Sequence, residues 1–531
     1  MNKLKYLLFF LISVQFACED FINPDSKDVL FEDDAYDDFV ELRAAALGLY
    51  GLQQDLVEQL VILGELRADL MTLTENKESD LKQIEDFNIG PDNKYASPIK
   101  FYRLISNCNK LINSIVAIKP DVVESGIENV NKFDRLYGEA ICMRSWAYFN
   151  LLRIYNEVPV YFDEISLETP LSADDKWPQG QLTDTLIHQL EALKIVGYEY
   201  NTGDDDVWDV STWRENSKTF LLGQIYLHKS DYAKAEACFL SFFPDRNIYT
   251  YNNAFNDTKW KNIFGGVEPR EQVYTIVFDK ERKQQHDFQS LFIYDYMLKP
   301  SQVAINMFQT QWAEGVIELN TVTGEVIFDE ELDIQDRIDK YRAKDPREKY
   351  TIGTLSTDKN YVRKLSDISA GPYTSDHTST LYRNFSAYLY LAEIISLPRS
   401  VYSGENSNGA YSILENLRTE RFGLEFNNIK PVNTKGYYHF FDPWTHEIVE
   451  KRPLSDAEIM RIRNDMVIQE RALELAFEGE RFYDLVRVAK RRKDPSYLAD
   501  KIAEKFTLER REEMRTVLMD STNWYIPFPN L

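Results

Sequence analysis

The sequence predicts a mainly α-helical protein, in which tetratricopeptide-like helix pairs form a scaffold and long loops with a few short strands are inserted. Three observations carry this expectation. Apolar residues recur at helical spacing from Asp37 to about residue 243 and again after Pro453. Leu222-Gly223, Tyr226, Tyr232, Ala235 and Phe239 fall at tetratricopeptide offsets, L-G-x2-Y then A-x3-F. Residues 244–380 lose the helical period and carry short apolar runs such as Val273 to Phe278, separated by Gly and Pro.

In chain order, the first helical face is Phe39, Leu42, Ala45, Ala46, Leu49 and Tyr50, and a second helix is expected over about Asp55 to Leu73. Thr74 to Ser97 is polar and ends in Gly90-Pro91-Asp92-Asn93, which reads as a loop. Helix resumes at Ile99. A dense helix is expected over Leu136 to Tyr155, stopping at Asn156 before the extended Val158-Pro159. Residues 163–181 read as a loop, and 183–196 as a helix. In the repeat, small Gly223 and Ala235 let two antiparallel helices touch, while Tyr226 and Phe239 fill the space beside them. A looser second copy lies at Leu391-Ala392, Ile395, Ala410 and Leu414. One repeat pair cannot bury both faces, so a further helix pair is expected to stack on it, with 136–155 as the candidate. A long helix is expected from about Asp456 to Ala489.

The N-terminus reads as an export signal. Lys3 and Lys5 precede an apolar stretch, Tyr6 to Ala17, too short to span a bilayer, and it ends at Ala17-Cys18. Residues 1–17 are therefore expected to be a lipoprotein signal peptide, with Cys18 acylated and 18–36 serving as anchor and acidic tether. Cys108, Cys142 and Cys238 are widely spaced inside helical patterns and read as buried free thiols. With 44% hydrophobic and 28% charged residues, widespread disorder is excluded. A net charge of −25 repels phosphate backbones, so nucleic acid is not an expected partner.

Chemistry-bearing motifs are sparse. The six histidines show no pair at i, i+3 or i+4, and no phosphate loop, GxGxxG or GxSxG is present. Glu478, Arg481, Asp484 and Arg487 fall at i, i+3 spacing and read as structural ion pairs along one helix. Asp204-Asp205-Asp206 with Asp209 has the carboxylate density of a calcium loop but lacks the EF-hand glycine; it reads as a solvated acidic loop, and no cofactor is expected.

Several segments together resemble the SusD/RagB family of outer-membrane nutrient-uptake lipoproteins. They are Gly138-Glu139-Ala140 and Arg144 to Leu151 running to Tyr155, Val158 and Pro159; Asp345-Pro346-Arg347; Arg383, Tyr388, Leu391-Ala392-Glu393 and Leu417-Arg418; Glu470-Arg471, Glu474 to Arg481, Asp484-Leu485 and Arg487; and Trp524 to Pro527. The resemblance implies one SusD-like domain over 37–531, with an aromatic-rich insertion at about 244–380 and a C-terminal segment at about 381–531. It further implies a non-enzymatic protein on the outer face of the outer membrane, attached only through its lipid. Such a protein passes glycan ligands, or peptides as in RagB-like relatives, to a SusC-like TonB-dependent transporter. Positions matching the family's ligand region are Asp69, Tyr95, Tyr296 and Trp312, while Ile99 stands where relatives often carry Trp. A glycoside hydrolase with distant carboxylates and a tetratricopeptide adaptor are the competing readings.

Overall fold

The computed structural model describes residues 38–124, 130–165, 176–195, 210–243, 257–266, 271–310, 347–372, 376–398 and 456–529, the strand pieces 318–319, 326–327, 437–441 and 448–453, and residues 268 and 401. Helix α1 (Phe39–Gln54) begins where the Asp38 carboxylate accepts the Glu41 amide at 2.9 Å, and it buries Leu42, Ala46 and Leu49. Helix α2 (Val57–Glu65) is shorter than its apolar run suggests. Beyond it the chain turns extended, and β1 (Met71–Leu73) pairs antiparallel with β5 (Leu298–Pro300). A short apolar run fits a helix or a buried strand equally well, and here a strand from the distant insertion captures the backbone.

The stretch expected to be loop contains α3 (Ser79–Glu85), which buries Leu81 and Ile84. Helix α4 (Ile99–Glu124) and α5 (Val130–Tyr155) follow and lie against each other, with α1 across both. Phe101, Leu104, Ile105, Cys108 and Leu111 of α4 are fully buried, as are Ala140, Met143, Ala147 and Leu151 of α5. Asn156 ends α5 in the left-handed region (φ 68°), a conformation asparagine tolerates. The next residues form β2 (Val158–Pro159), paired with β3 (Lys176–Trp177). Helix α6 is Gln179–Ala192 and starts earlier than expected.

The repeat pair forms as the spacing requires: α7 (Glu215–His228) and α8 (Tyr232–Leu240). A Cβ at Gly223 would come within 2.9 Å of the Phe239 ring, so only glycine permits this approach. Helix α5 and α6 pack beside α7, supplying the expected second layer. The insertion holds α9 (Asp257–Gly265), β4 (Gln272–Phe278), a π-helical turn at Ser290–Tyr294, α10 (Gln302–Thr310), the two-residue strands β6 (Glu318–Leu319) and β7 (Val326–Ile327), and the single turn α11 (Glu348–Thr351). A hairpin, β8 (Ile352–Ser356) with β9 (Lys359–Val362), follows. Strand β10 (His377–Arg383) pairs with β4 and leads into α12 (Asn384–Ile395), which lies between α8 and α13 (Asp456–Glu474). Of the second repeat copy, Leu391, Ala392 and Ile395 sit on α12, and Ala410 and Leu414 lie outside the described residues. The hairpin β11 (Tyr437–Phe441) with β12 (Ile448–Pro453) precedes α13.

The expected long C-terminal helix is two helices. Leu475 to Glu480 forms a turn, with Phe477 (φ 67°) and Gly479 (φ 88°) left-handed, before α14 (Arg481–Arg492). Helix α2 forces this break: a Cβ on Gly64 would collide with the Gly479 carbonyl, so the two backbones touch through facing glycines. Helices α15 (Pro495–Ala503) and α16 (Leu508–Met519) complete the chain, and the Ile526 amide returns to the Ile154 carbonyl at 2.9 Å. One continuous apolar core runs from Leu42 to Phe528. No helix among the described residues is long and apolar enough to cross a membrane.

Candidate functional site

Two groups of functional-looking side chains emerge, and they differ in kind. The first is a lattice of buried charge around the α13–α14 turn. Arg347 donates to Glu470 (2.8 Å) and Glu474 (3.0 Å), and Arg383 to Glu474 (2.8 Å), Glu271 (3.2 Å) and Glu478 (2.7 Å). Lys364 reaches Glu478 at 2.6 Å and the carbonyls of Glu474 and Ala476. Arg471 grips both Asp484 oxygens at 2.9 Å, and Arg487 and Arg491 close on Glu393 at 2.6 Å each. Structural ion pairing was the correct reading of this run, but its partners are mostly not helical neighbours. Among the expected i, i+3 contacts the Asp484–Arg487 pair forms at 2.7 Å, whereas Glu478 turns to Arg383 and Lys364, and Arg481 to Asp69.

Burial alone would raise the carboxyl groups of Glu393, Asp484 and Asp69, and the surrounding guanidinium groups reverse it. Desolvation is the largest effect on Glu393, Asp484 and Asp69, yet their arginine partners together hold all three below the usual carboxylate range. Glu65 is the exception: burial pushes it to about 8, only partly offset by the Gly479 and Arg481 amides it accepts. Lys364 falls to about 8 because desolvation exceeds the pull of Glu478. The charged groups of this lattice are spent mainly on one another, although Arg487 and Arg491 also line a cavity.

The second group is a loop-borne face at the π turn. Asp287 opens it, its amide donating to Glu58 Oε2 at 3.0 Å. Five residues in the π form end at Tyr294, whose ring is 50% exposed and whose hydroxyl donates to the Ala370 carbonyl at 2.6 Å. Tyr296 follows with φ 50°, an unusual conformation for an aromatic residue, and its hydroxyl donates to the Asn360 carbonyl at 3.1 Å. Thr74 donates to the Tyr296 carbonyl, and Asn76 to the Asp295 carbonyl at 3.0 Å. The same loop carries Glu78, paired with Lys94 beside Tyr95. Exposed Lys359 lies 5.4 Å from the Tyr296 ring centre, and Asn76, on the Asp295 carbonyl, is exposed as well. Glu58 is raised by burial first and by Asp287 second.

The four expected ligand residues do not converge. Asp69 is 2% exposed and gives both oxygens to Arg481 at 2.7 Å, so its carboxylate holds α14 to the segment after α2. Tyr95 is buried under the 74–78 loop, and burial with Glu78 close by keeps its hydroxyl protonated. Tyr296 is mostly buried, its backbone shaping the face that Tyr294 presents. Trp312 lies outside the described residues, as do Cys18, the Asp204–Asp206 run and Asp209. Sequence reasoning missed Tyr294. An alternation-based reading cannot tell which of Tyr294 and Tyr296 faces out, because the π turn shifts the register by one residue. Ile99 is exposed at the start of α4, so that position does face solvent. Cys108 and Cys142 are free and buried, and Cys238 is free and partly buried. Burial raises the Cys108 thiol to about 12.

Known proteins share this fold. The SusD family model matches residues 244–530, more than half of the chain. The chain belongs to the SusD family. SusD-like protein P2 of Formosa agariphila is 21% identical, with 92% of this chain and 91% of that protein covered; SusD-like protein P38 of the same organism is 22% identical over the same shares. Among solved structures, a SusD superfamily protein from Bacteroides thetaiotaomicron aligns with a TM-score of 0.62 at 19% identity, covering 92% of this chain and 95% of that one. A laminarin-binding SusD-like protein aligns at TM-score 0.57 and 14% identity, covering 93% and 99%. At these identities the structural likeness speaks for the fold, so the mainly helical SusD architecture extends across the chain.

Proposed function

We propose that this SusD-family protein captures glycan oligomers on its π-turn face, without turning them over, and passes them to a SusC-like TonB-dependent transporter. The carrying observation is the exposed Tyr294 ring on a π turn whose next residues are held by Tyr296, Thr74 and Asn76. An aromatic ring stacks on the apolar face of a sugar, and adjacent carboxylate, amide and ammonium groups bond its hydroxyls. The laminarin-binding relative supports a glycan as the ligand class over a peptide. Lipid on Cys18, after removal of residues 1–17, anchors the domain at the cell surface, and no cofactor takes part.

Titration calorimetry against a panel including laminarin tests the binding half. Saturable binding that Tyr294→Ala and Trp312→Ala each weaken, with melting temperatures unchanged, supports it; a panel without any binder overturns it. The raised Glu58 beside Asp287 is a carboxylate pair on this face suited to acid catalysis, so the same glycans should be checked for cleavage. Cleavage abolished by Glu58→Gln would replace capture with hydrolysis. Affinity purification in mild detergent should recover a large barrel protein in near-equal amount, and Cys18→Ala should release the protein from membranes.

A further inference from the structure

Lined by none of the π-turn residues, a cavity of about 220 Å³ opens where the repeat pair meets α5 and α14. Its walls are aromatic and cationic: Phe149, Tyr390, Tyr483 and Tyr525 with Arg153 and Lys490 are among its lining. Several polar groups there are already paired. Gln224 donates to the Tyr390 hydroxyl (3.0 Å), which donates to Glu480 (3.3 Å), and Gln179 meets His228 at 2.8 Å. Arg487 and Arg491 are held from behind by Glu393.

Three donors in the lining are unfilled. Arg153 is nine-tenths buried, yet of its five N–H groups only Nη2 has a protein acceptor, Glu480 at 2.8 Å. Its guanidinium lies 3.8 Å from the Tyr483 ring centre, which fixes its plane. Lys490 has no carboxylate within salt-bridge distance among the described residues and rests 4.9 Å from the Tyr525 ring centre. The Tyr525 hydroxyl is buried without any hydrogen-bond partner. Lys490 is exposed at the cavity mouth, and the buried Tyr525 hydroxyl is the donor whose lack of a partner is costly; with the Arg153 and Lys490 donors open beside it, the lining points to an acceptor that belongs there. The charge balance agrees. Arg153, Lys490, Arg471, Arg487 and Arg491 face Glu480, Glu393 and Asp484, which leaves two positive charges over. The ring of His228 sits in that field, and burial together with Lys490, Arg153 and Arg487 keeps it neutral, near 3.

Size narrows the ligand. At about 30 Å³ per water the cavity holds roughly seven waters, the space of one sugar ring of about a dozen non-hydrogen atoms and not of an oligomer. Guanidinium and ammonium donors suit a carboxylate, and the tyrosine and phenylalanine rings suit a ring face. We propose that this cavity is a second binding site, separate from the π-turn face, for a carboxylate-bearing single sugar such as a hexuronate.

The test uses the full chain in detergent, with glucuronate, glucose and inorganic phosphate as probes in titration calorimetry and thermal melts. Saturable glucuronate binding is expected, with glucose and phosphate at least about tenfold weaker. Lys490→Gln should weaken glucuronate binding at least about tenfold and Tyr525→Phe severalfold. Lys490→Gln gives up only the contact of an exposed ammonium with the Tyr525 ring and Tyr525→Phe no hydrogen bond within the fold, so both should melt close to the wild type and keep their oligomer binding. Phosphate binding as tightly as glucuronate would overturn the sugar assignment. Glucose binding equally well, no binding of any probe, or a Lys490→Gln protein that binds glucuronate normally would overturn the site itself.

Discussion

The charge lattice at the α13–α14 turn and the π-turn face are both rich in polar chemistry, and they use it in opposite ways. In the lattice the ionised groups are buried or half-buried and answered by one another: Arg383 alone touches Glu271, Glu474 and Glu478. On the π-turn face the tyrosine hydroxyls are satisfied by backbone carbonyls, which leaves the Tyr294 ring and the nearby charged tips turned to solvent. A group spent on the fold cannot serve a ligand. The motif-like residues of the α13–α14 turn are therefore the scaffold's fastenings, and the proposed binding face lies where no motif marks it.

If that contrast holds, breaking the lattice must cost stability and spare the chemistry of binding. Arg383→Met leaves Glu271, Glu474 and Glu478 buried with one fewer cation, and a loss of ~3–5 kcal/mol is expected by chemical denaturation. A loss under ~1 kcal/mol would mean the lattice is not what fastens the turn.

Acid should separate the two regions next. Glu393, Asp484 and Asp69 have folded-state values below their unfolded ones. Their contribution is therefore fully present above the unfolded carboxylate range, about pH 4, and is lost as pH falls through the folded values. Melting temperature is expected to fall steeply below about pH 4 on this account, while glycan affinity, resting on tyrosine rings, stays level between about pH 5 and 8. A steep affinity change across that neutral window would place a titrating carboxylate, Glu58 first, in ligand contact.

Tyr294→Ala reverses the pattern on a smaller scale. Its ring is half exposed, so stability should hold, and glycan binding should weaken by ~0.5–1.5 kcal/mol, about two- to twelvefold in affinity. Tyr95→Ala supplies the contrast, since a buried large aromatic should cost ~3–5 kcal/mol of stability.

The last effect is small in acid and grows only as pH rises. Glu65 is raised to about 8, so any stability it contributes is present below the unfolded value near 4.5 and is lost as pH rises through 8. Glu65→Gln mimics the protonated acid, still accepting from the Gly479 amide. It should change stability by less than ~1 kcal/mol near pH 4.5, exceed the wild type in stability at pH 7, and so flatten the decline between about pH 5 and 8. An unaltered pH profile in this variant would assign that decline to another group.

By itself the sequence determined the scaffold. Helical period placed α1, α4, α5, α7 and α8, and the Gly223–Phe239 spacing fixed how one helix pair touches, because these are local regularities written into neighbouring residues. Reading charges at helical spacing also led correctly to structural pairing. Only the tertiary structure decided where those charges went. Arg481 finds Asp69 across 412 residues, and Gly479 must break a helix because Gly64 lies against it. Likewise Met71–Leu73 is a strand because Leu298–Pro300 is there to receive it. The outward turn of Tyr294 in place of Tyr296 depends on one π-helical step that apolar alternation does not encode. Long-range partners and backbone register are properties of the packed chain, and a ligand face is built from both.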